Sequence, residues 1–218
     1  MTLPFFKNKI FCISYQRTGT TSTGQFFKDH GYKVATWGIS NSNKWSLSWL
    51  KGDYEKIFKS FHFKKHQVFE DGPWWCNDFY KVLFHRFPKS KFILLERNPD
   101  KWFDSMLSHS NGKTLGNTHL HSILYNRELD FHNLGKKLAY YSGEIDNLLP
   151  LQEKHREHYK NIYITRINEI KMFFEIHNPD RLFFGSLEDK QVWNKIGVFF
   201  NIPVKENYNS HANKTKSK

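Results

Sequence analysis

The chain has 218 residues, which is enough for one domain with a sizeable core and short for two domains. Hydrophobic residues make up 39% of the chain and aromatic residues 17%, a composition that excludes a largely disordered protein. The net charge of +12 favours an anionic ligand, an anionic acceptor or nucleic acid, and does not choose among them.

The sequence contains no apolar run long enough to span a bilayer and no signal peptide. Its two cysteines, Cys12 and Cys76, are too few for a disulfide framework. We therefore expect a protein of a reducing, soluble compartment, with a cytoplasmic localisation. We expect a single domain over residues 1–203, followed by a polar, flexible tail over residues 204–218.

The first motif follows a short apolar run at residues 10–13, which predicts a buried strand. A turn containing Arg17 and Gly19 comes next, then a run of hydroxyl residues, and then a helix that Gly31 ends. A strand, a tight loop and a helix place backbone N–H groups and the positive end of a helix dipole around an anion. No lysine follows Gly19, so the motif is not a regular P-loop.

Further strands and helices alternate along the chain. Strands are predicted over 32–36, 67–70, 92–95 and 181–184, and helices over 41–60 (interrupted by Gly52), 77–87, 136–149, 151–159, 162–176 and 192–200. Strands that helices separate predict βαβ units, and therefore an α/β fold with a parallel sheet. Residues 108–135 show no clear pattern. Their histidines lack the spacing of a metal site, so we expect scattered surface side chains at His109, His119, His121 and His132.

The second motif follows the most apolar strand, residues 92–95. Arg97 lies at the carboxyl end of that strand, and Asn98 and Pro99 are typical of the start of a helix. Ser105 then falls about two turns into the helix. Since ligands of open α/β sheets bind beyond the carboxyl ends of the strands, this motif also predicts a binding site.

The order and content of the two motifs resemble those of the sulfotransferases that use 3′-phosphoadenosine-5′-phosphosulfate (PAPS). The resemblance implies a P-loop-like, three-layer α/β/α fold with a central parallel sheet. It implies transfer of a sulfuryl group from PAPS to a hydroxyl or amine, leaving adenosine 3′,5′-bisphosphate (PAP), with no metal. Arg17 would stabilise the leaving phosphate, in a position where the family more often has lysine. The implied PAPS ligands are Arg17, Thr18, Gly19, Thr20, Thr21 and Ser22 at the 5′ end, and Arg97 and Ser105 at the 3′-phosphate.

The resemblance also indicates where a general base would lie. Soluble sulfotransferases place a histidine two residues before a proline, after the third strand. Here that position is Asp71, with Glu70 beside it, so we expect Asp71 as the catalytic base and Glu70 in reserve. The alternative is that Asp71 only caps a turn at the end of the strand, a common use of Asp-Gly.

The acceptor cannot be identified from the sequence. A small molecule or a carbohydrate is expected, and an anionic one is compatible with the basic charge. The tryptophans either pack in the core or line an aromatic acceptor pocket: Trp45, Trp49, Trp74 and Trp75. No membrane partner is expected, and the oligomeric state is left open.

Two other functions compete with sulfotransfer. A nucleotide kinase or another P-loop phosphotransferase is disfavoured, because the Gly-Lys pair and a magnesium-binding aspartate after an apolar strand are missing. A basic nucleic-acid-binding domain is supported only by charge and aromatic content, without a recognised motif.

Overall fold

The computed structural model describes residues 8–110, 112, 118–133 and 149–210. Within them, five parallel strands form one sheet in the order β2-β3-β1-β4-β5. The strands are β1 (Ile10–Cys12), β2 (Val34–Ala35), β3 (Val68–Phe69), β4 (Lys91–Glu96) and β5 (Leu182–Ser186). The predicted α/β class and parallel sheet are confirmed.

Eleven α-helices are described. They are α1 (Thr20–Asp29), α2 (Trp37–Ser42), α3 (Trp45–Leu50), α4 (Tyr54–Lys59), α5 (Phe61–Lys65), α6 (Phe79–Arg86), α7 (Pro99–Ser110), α8 (Thr118–Leu124), α9 (Glu128–Asn133), α10 (Arg156–His177) and α11 (Val192–Phe200).

The helices cover both faces of the sheet. Alternate residues of β4 enter two separate cores: Phe92 and Leu94 pack on one side, and Ile93 and Leu95 on the other. The first core is completed by side chains from α3 to α8 and α10, and the second by α1 and α11. Because both faces of β4 are buried, its sequence is continuously apolar rather than alternating. The predicted three-layer arrangement is confirmed.

Several predicted helices have different bounds in the structure. The helices expected over 151–159 and 162–176 are joined in one helix, α10, which begins at Arg156 and runs through residues 160–161. Residues 151–155 precede it, and Glu153–His155 form a 3-10 helix. The loosely helical stretch 41–60 covers the last two residues of α2 and two further short helices, α3 and α4. The last of these begins where the Asp53 side chain accepts a hydrogen bond from the Lys56 N–H, at 3.3 Å.

The stretch 108–135 is more ordered than its sequence pattern indicates. Helix α7 extends to residue 110, and α8 and α9 follow it. His119 and His121 are 8% and 5% exposed, so the expectation of surface histidines is wrong for these two. His109 and His132 are exposed as expected. The helix predicted over 136–149 lies outside the described residues, apart from its last residue.

The chain beyond residue 203 contacts the domain as far as it is described. The Tyr208 hydroxyl donates a hydrogen bond to Asp29 Oδ2 at 2.7 Å, and the Ser210 hydroxyl donates to the Ser22 carbonyl at 2.8 Å. The domain boundary at residue 203 stays a prediction, and residues 211–218 lie outside the described part. Over the ranges given above, no helix has the length and apolar content needed to cross a membrane.

Candidate functional site

The site is built around the connection between β1 and α1. Strand β1 lies at the centre of the sheet, with β3 on one side and β4 on the other. The chain leaves β1 toward β2 and β3, whereas β4 and β5 extend the sheet in the opposite direction. The carboxyl end of β1 is therefore a topological switch point, where open α/β sheets form their ligand crevices.

The backbone of this connection turns sharply before α1 begins. Arg17 and Gly19 both have positive φ angles, +67° and +83°. The Thr18 hydroxyl and the Thr18 N–H both donate to the Tyr15 carbonyl, so Thr18 shapes the turn. Its role as a PAPS ligand stays a prediction. Gly19 is the N-cap of α1, and no side chain caps the helix. The N-terminal N–H groups of α1 are thus placed to meet an anion.

The two sequence motifs meet at Arg17. Its Nε donates a hydrogen bond to the Ser105 hydroxyl at 3.0 Å, and Arg97 Nη1 lies 3.5 Å from the Arg17 carbonyl oxygen, which accepts from it. Burial, and then the charge of Arg97, lower the pKa of Arg17. Neither arginine forms an ion pair with a carboxylate of the described residues. An anionic ligand would relieve this unfavourable arrangement of like charges.

A cleft of about 910 Å³ joins the motifs. It is lined by every predicted PAPS ligand except Thr18, namely Arg17, Gly19, Thr20, Thr21, Ser22, Arg97 and Ser105. A neighbouring cavity of about 410 Å³ shares Arg17, Arg97 and Ser105 with it. The structure therefore brings residues from both motifs, 75 or more positions apart in the chain, to one surface.

Four further residues of α7 line these cavities: Lys101, Asp104, Ser108 and His109. Two of them, Lys101 and His109, carry groups that can bear a positive charge. Lys101 lines both cavities, and His109 lines the smaller one. Partial desolvation, and then the charge of Arg17, lower the pKa of His109 and favour its neutral form. Neither Lys101 nor His109 is among the predicted site residues. The signal was available, because Lys101, Ser105 and His109 recur every four positions within α7 and so share one helix face, and α7 begins two residues beyond Arg97.

The turn after β5 forms the opposite wall of the cleft. Glu188 Oε2 accepts a hydrogen bond from the Asn98 N–H at 3.1 Å, and Glu188 Oε1 lies 3.5 Å from Lys101 Nζ. These contacts connect the start of α7 to the turn that leads into α11. Leu187 and Trp193, from the same region, line the cleft as apolar side chains.

The candidate base Asp71 follows β3 and is outside the lining of this cleft. Its Oδ1 accepts hydrogen bonds from the Gly72 N–H at 2.7 Å and the Trp75 indole N–H at 3.5 Å. Desolvation raises the pKa of Asp71, and these two hydrogen bonds oppose the rise. The bond to Gly72 is a turn-capping contact, as the alternative interpretation of Asp71 expects.

Glu70 is buried between β3 and α1, only 2% exposed. Its Oε1 accepts from the Trp37 N–H at 3.4 Å, and its Oε2 has no hydrogen-bond partner in the described part of the chain. Burial, and then the charge of Asp71, raise the pKa of Glu70 to about 7. A Cβ at Gly24 of α1 would lie 2.9 Å from Glu70 Cγ, which shows how tightly the carboxylate is enclosed.

The tryptophans considered for an acceptor pocket are core residues. All four are buried at 9% exposure or less: Trp45, Trp49, Trp74 and Trp75. Among the residues that the structure describes, no group of three or more histidines, cysteines or carboxylates could hold a metal ion. The absence of a metal from the reaction stays a prediction.

The parallel sheet and the arginine-lined cleft at its switch point define an α/β protein with a site suited to an anionic ligand. The sequence profile of the sulfotransferase domain family matches residues 9–217, nearly the whole chain. The chain belongs to this family, and sulfotransfer is its general activity.

Other comparisons are less informative. A search of curated proteins finds no match. Among solved structures, the sulfotransferase domain from the curacin biosynthetic pathway is similar with 13% sequence identity and a TM-score of 0.46. That alignment covers 93% of this chain and 76% of the other.

Proposed function

We propose that this protein transfers the sulfuryl group of PAPS to a hydroxyl or amine of a small molecule or carbohydrate. The observation that supports this proposal most directly is the 3.0 Å contact between Arg17 Nε and the Ser105 hydroxyl. It joins the predicted 5′-phosphosulfate loop to the predicted 3′-phosphate pair within one cleft. A single nucleotide with phosphates on both sides of its ribose would satisfy both motifs.

In this proposal, different residues of the cleft bind different parts of PAPS. The N-terminus of α1, with Gly19, Thr20, Thr21 and Ser22, holds the 5′-phosphate, and Arg97 and Ser105 hold the 3′-phosphate. Arg17 stabilises the negative charge that develops on the leaving phosphate. Because a guanidinium does not give up its proton near neutral pH, Arg17 acts by charge and hydrogen bonding rather than as an acid.

The transfer itself is a displacement at sulfur. The acceptor oxygen or nitrogen forms a bond to sulfur, while the bond from sulfur to the 5′-phosphate oxygen breaks and its electron pair leaves with PAP. The acceptor proton passes to a base, for which we propose Asp71, with Glu70 in reserve. The cations of the protein supply the charge stabilisation, so the proposal uses no metal.

Binding and transfer are tested separately. Calorimetric titration with PAP, with ATP and Mg²⁺, and with duplex DNA compares the three functions considered for this chain. Sulfotransfer predicts binding of PAP in preference to ATP. Preference for ATP with Mg²⁺ would favour a phosphotransferase, and salt-sensitive DNA binding alone would favour a nucleic-acid-binding domain. Labelled sulfate from PAPS, offered to a panel of alcohols, amines and sugars, then tests transfer.

The 3′-phosphate site has its own test. Arg97→Ala is expected to weaken PAP binding by about 10- to 100-fold, the usual effect of losing a charge-assisted contact. It should weaken AMP binding much less, since AMP lacks the 3′-phosphate. Arg86→Ala, which removes an exposed arginine paired with Glu55, is the matched control. Equal losses for PAP and AMP would contradict the assignment of Arg97.

A further inference from the structure

The last described residues of the chain, 205–210, form a segment that lies across α1, and we call it the C-terminal strap. Two of its side chains anchor on that helix. The Tyr208 hydroxyl bonds to Asp29, and its ring meets Phe26 edge-on with centroids 5.5 Å apart. Ser210 is 5% exposed and donates its hydrogen bond to the Ser22 carbonyl, at the phosphate-binding end of α1.

The strap forms one wall of the cleft. Residues 206–210 line the cleft of about 910 Å³ together with Leu187, Val192 and Trp193. None of them lines the smaller cavity of about 410 Å³, which Arg17, Arg97 and Lys101 share. The strap therefore lines a part of the cleft that the smaller cavity does not reach. A nucleotide whose 3′-phosphate lies at Arg97 and Ser105 would have this part of the cleft available for its uncharged base.

The strap offers unused hydrogen-bonding groups to that part of a ligand. Asn207 and Asn209 are exposed to the cleft, and no hydrogen bond of their side-chain amides is formed with the described residues. Each amide has a donor N–H₂ beside an acceptor oxygen. Adenine presents the complementary pair, an amino donor next to a ring-nitrogen acceptor, and asparagine pairs with it in a bidentate manner. Leu187 and the small exposed part of the largely buried Trp193 line the same cleft with apolar surface.

We propose that the C-terminal strap is the nucleobase-recognition element of this cleft, and that Asn207 and Asn209 select adenine through its 6-amino edge. This inference rests on the proposed function, because it takes the occupant of the cleft to be an adenosine 3′,5′-bisphosphate. Tyr208 and Ser210 are positioning residues in this arrangement, since they hold the strap on α1. The segment that would recognise the adenine ring is thus the one that contacts the first turn of α1 through Ser210.

The test compares PAP with inosine 3′,5′-bisphosphate, in which an oxygen replaces the 6-amino group. Titration calorimetry measures both affinities for the full chain and for the Asn207→Ala, Asn209→Ala and double variants. The wild-type chain should prefer PAP by about tenfold or more, and the double variant should lose this preference. Asn8→Ala removes an exposed asparagine from a different cavity, beside Lys91 and Phe200, and is the matched control. Thermal melting of every variant checks that it folds.

Each outcome has a distinct meaning. Loss of the preference, with inosine 3′,5′-bisphosphate bound as before, supports recognition by the strap. A wild-type chain that binds PAP without preferring it, or a double variant that keeps the preference, overturns the inference and leaves the proposed function intact. Equal weakening of both nucleotides also overturns it, because the strap would then contact the sugar or a phosphate. A wild-type chain that binds neither nucleotide overturns the proposed function and the inference together.

A second pair of variants tests the anchors. Ser210→Ala removes the hydrogen bond to α1, and Tyr208→Phe removes the bond to Asp29 while keeping the ring on Phe26. Both should reduce the preference for PAP over inosine 3′,5′-bisphosphate several-fold. A preference that survives in the Ser210→Ala and Tyr208→Phe double variant would contradict the positioning role.

Discussion

At the scale of single residues, the carboxyl groups after β3 have different environments although they are adjacent in the chain. Glu70 is enclosed by α1, with one oxygen unpartnered in the described part of the chain. Asp71 is half-buried and accepts two hydrogen bonds on one oxygen. Of the two, only Asp71 combines partial access to solvent with a raised pKa, and for this reason we propose Asp71 rather than Glu70 as the base.

The proposed role of Asp71 as the base predicts a pH dependence of turnover. A base works in its deprotonated form, so kcat/KM should fall as the pH drops through the raised pKa of Asp71. Asp71→Asn should reduce turnover by about 10²- to 10⁴-fold and leave PAP affinity unchanged. Asp180→Asn, an exposed aspartate at the other end of the sheet, is the control. Turnover that survives in the Asp71→Asn variant would remove Asp71 from the mechanism.

Glu70 predicts an effect on stability. Its pKa is about 7 in the folded chain and near the ordinary 4.5 when unfolded, so the folded state favours the protonated form. Relative to Glu70→Gln, the wild type should therefore lose stability as the pH rises from about 4.5 to about 7. At pH 8 the variant should be more stable by about 2–3 kcal/mol, and at pH 4 the two should be similar. Urea denaturation at both pH values measures the difference. A Glu70→Gln variant that is less stable at pH 8 would contradict the burial argument.

At the scale of structural elements, the β1–α1 connection packs closely against the turn after β5, where Leu187 lies next to Gly19. Gly19 has φ +83°, and a Cβ there would lie 2.7 Å from Leu187 Cδ1. Gly31, at φ +81°, has nothing within 4 Å of such a Cβ. An alanine at Gly31 would therefore destabilise the fold only through its positive φ. An alanine at Gly19 would add the steric contact with Leu187 to the same backbone effect.

This pair gives a double-mutant test. Gly31→Ala should lose about 1–2 kcal/mol of stability from the positive φ alone. Gly19→Ala should lose more, because the contact with Leu187 is added. Leu187→Ala should recover only that added part, which the double-mutant cycle measures by urea denaturation. Equal losses at both glycines would show that Leu187 moves aside without cost. PAP titration of the same variants reports whether the loop still accepts a phosphate.

Much of the framework could be predicted because its signals are local. The apolar run of β4 is buried on both faces, and Asn98 and Pro99 mark the start of α7 by their own backbone preferences. The loop around Gly19 was recognisable because its residue types and their order are adjacent in the sequence. Such features need no knowledge of distant contacts.

Other features could not be predicted because they depend on residues far apart in the chain. The strap has a polar sequence without periodicity, and its position is decided by Asp29 and Ser22, about 180 residues earlier. The hydrogen bond from the Thr18 hydroxyl to the Tyr15 carbonyl depends on the path of the backbone through the turn. The enclosure of Glu70 depends on how α1 packs over β3, which the composition of neither element reveals.

At the scale of the whole molecule, the net charge is +12, and Arg17 and Arg97 of the cleft form no ion pair with the described residues. The long-range field should attract PAP, and salt should screen it. We expect PAP affinity to fall by about 3- to 10-fold between 50 and 500 mM NaCl. Adenosine, which carries no phosphate, should show little change over the same range. A PAP affinity that is insensitive to salt would place the binding energy in the uncharged contacts.

The burial of Ser210 has a practical consequence for anyone who produces this protein. A fragment cut at residue 203, where the sequence suggests a natural stopping point, would retain all five strands but lose one side of the cleft. Such a fragment could be soluble and folded and still be inactive, and its inactivity would say nothing about the enzyme. Purification tags are therefore better attached ahead of β1 than behind Ser210.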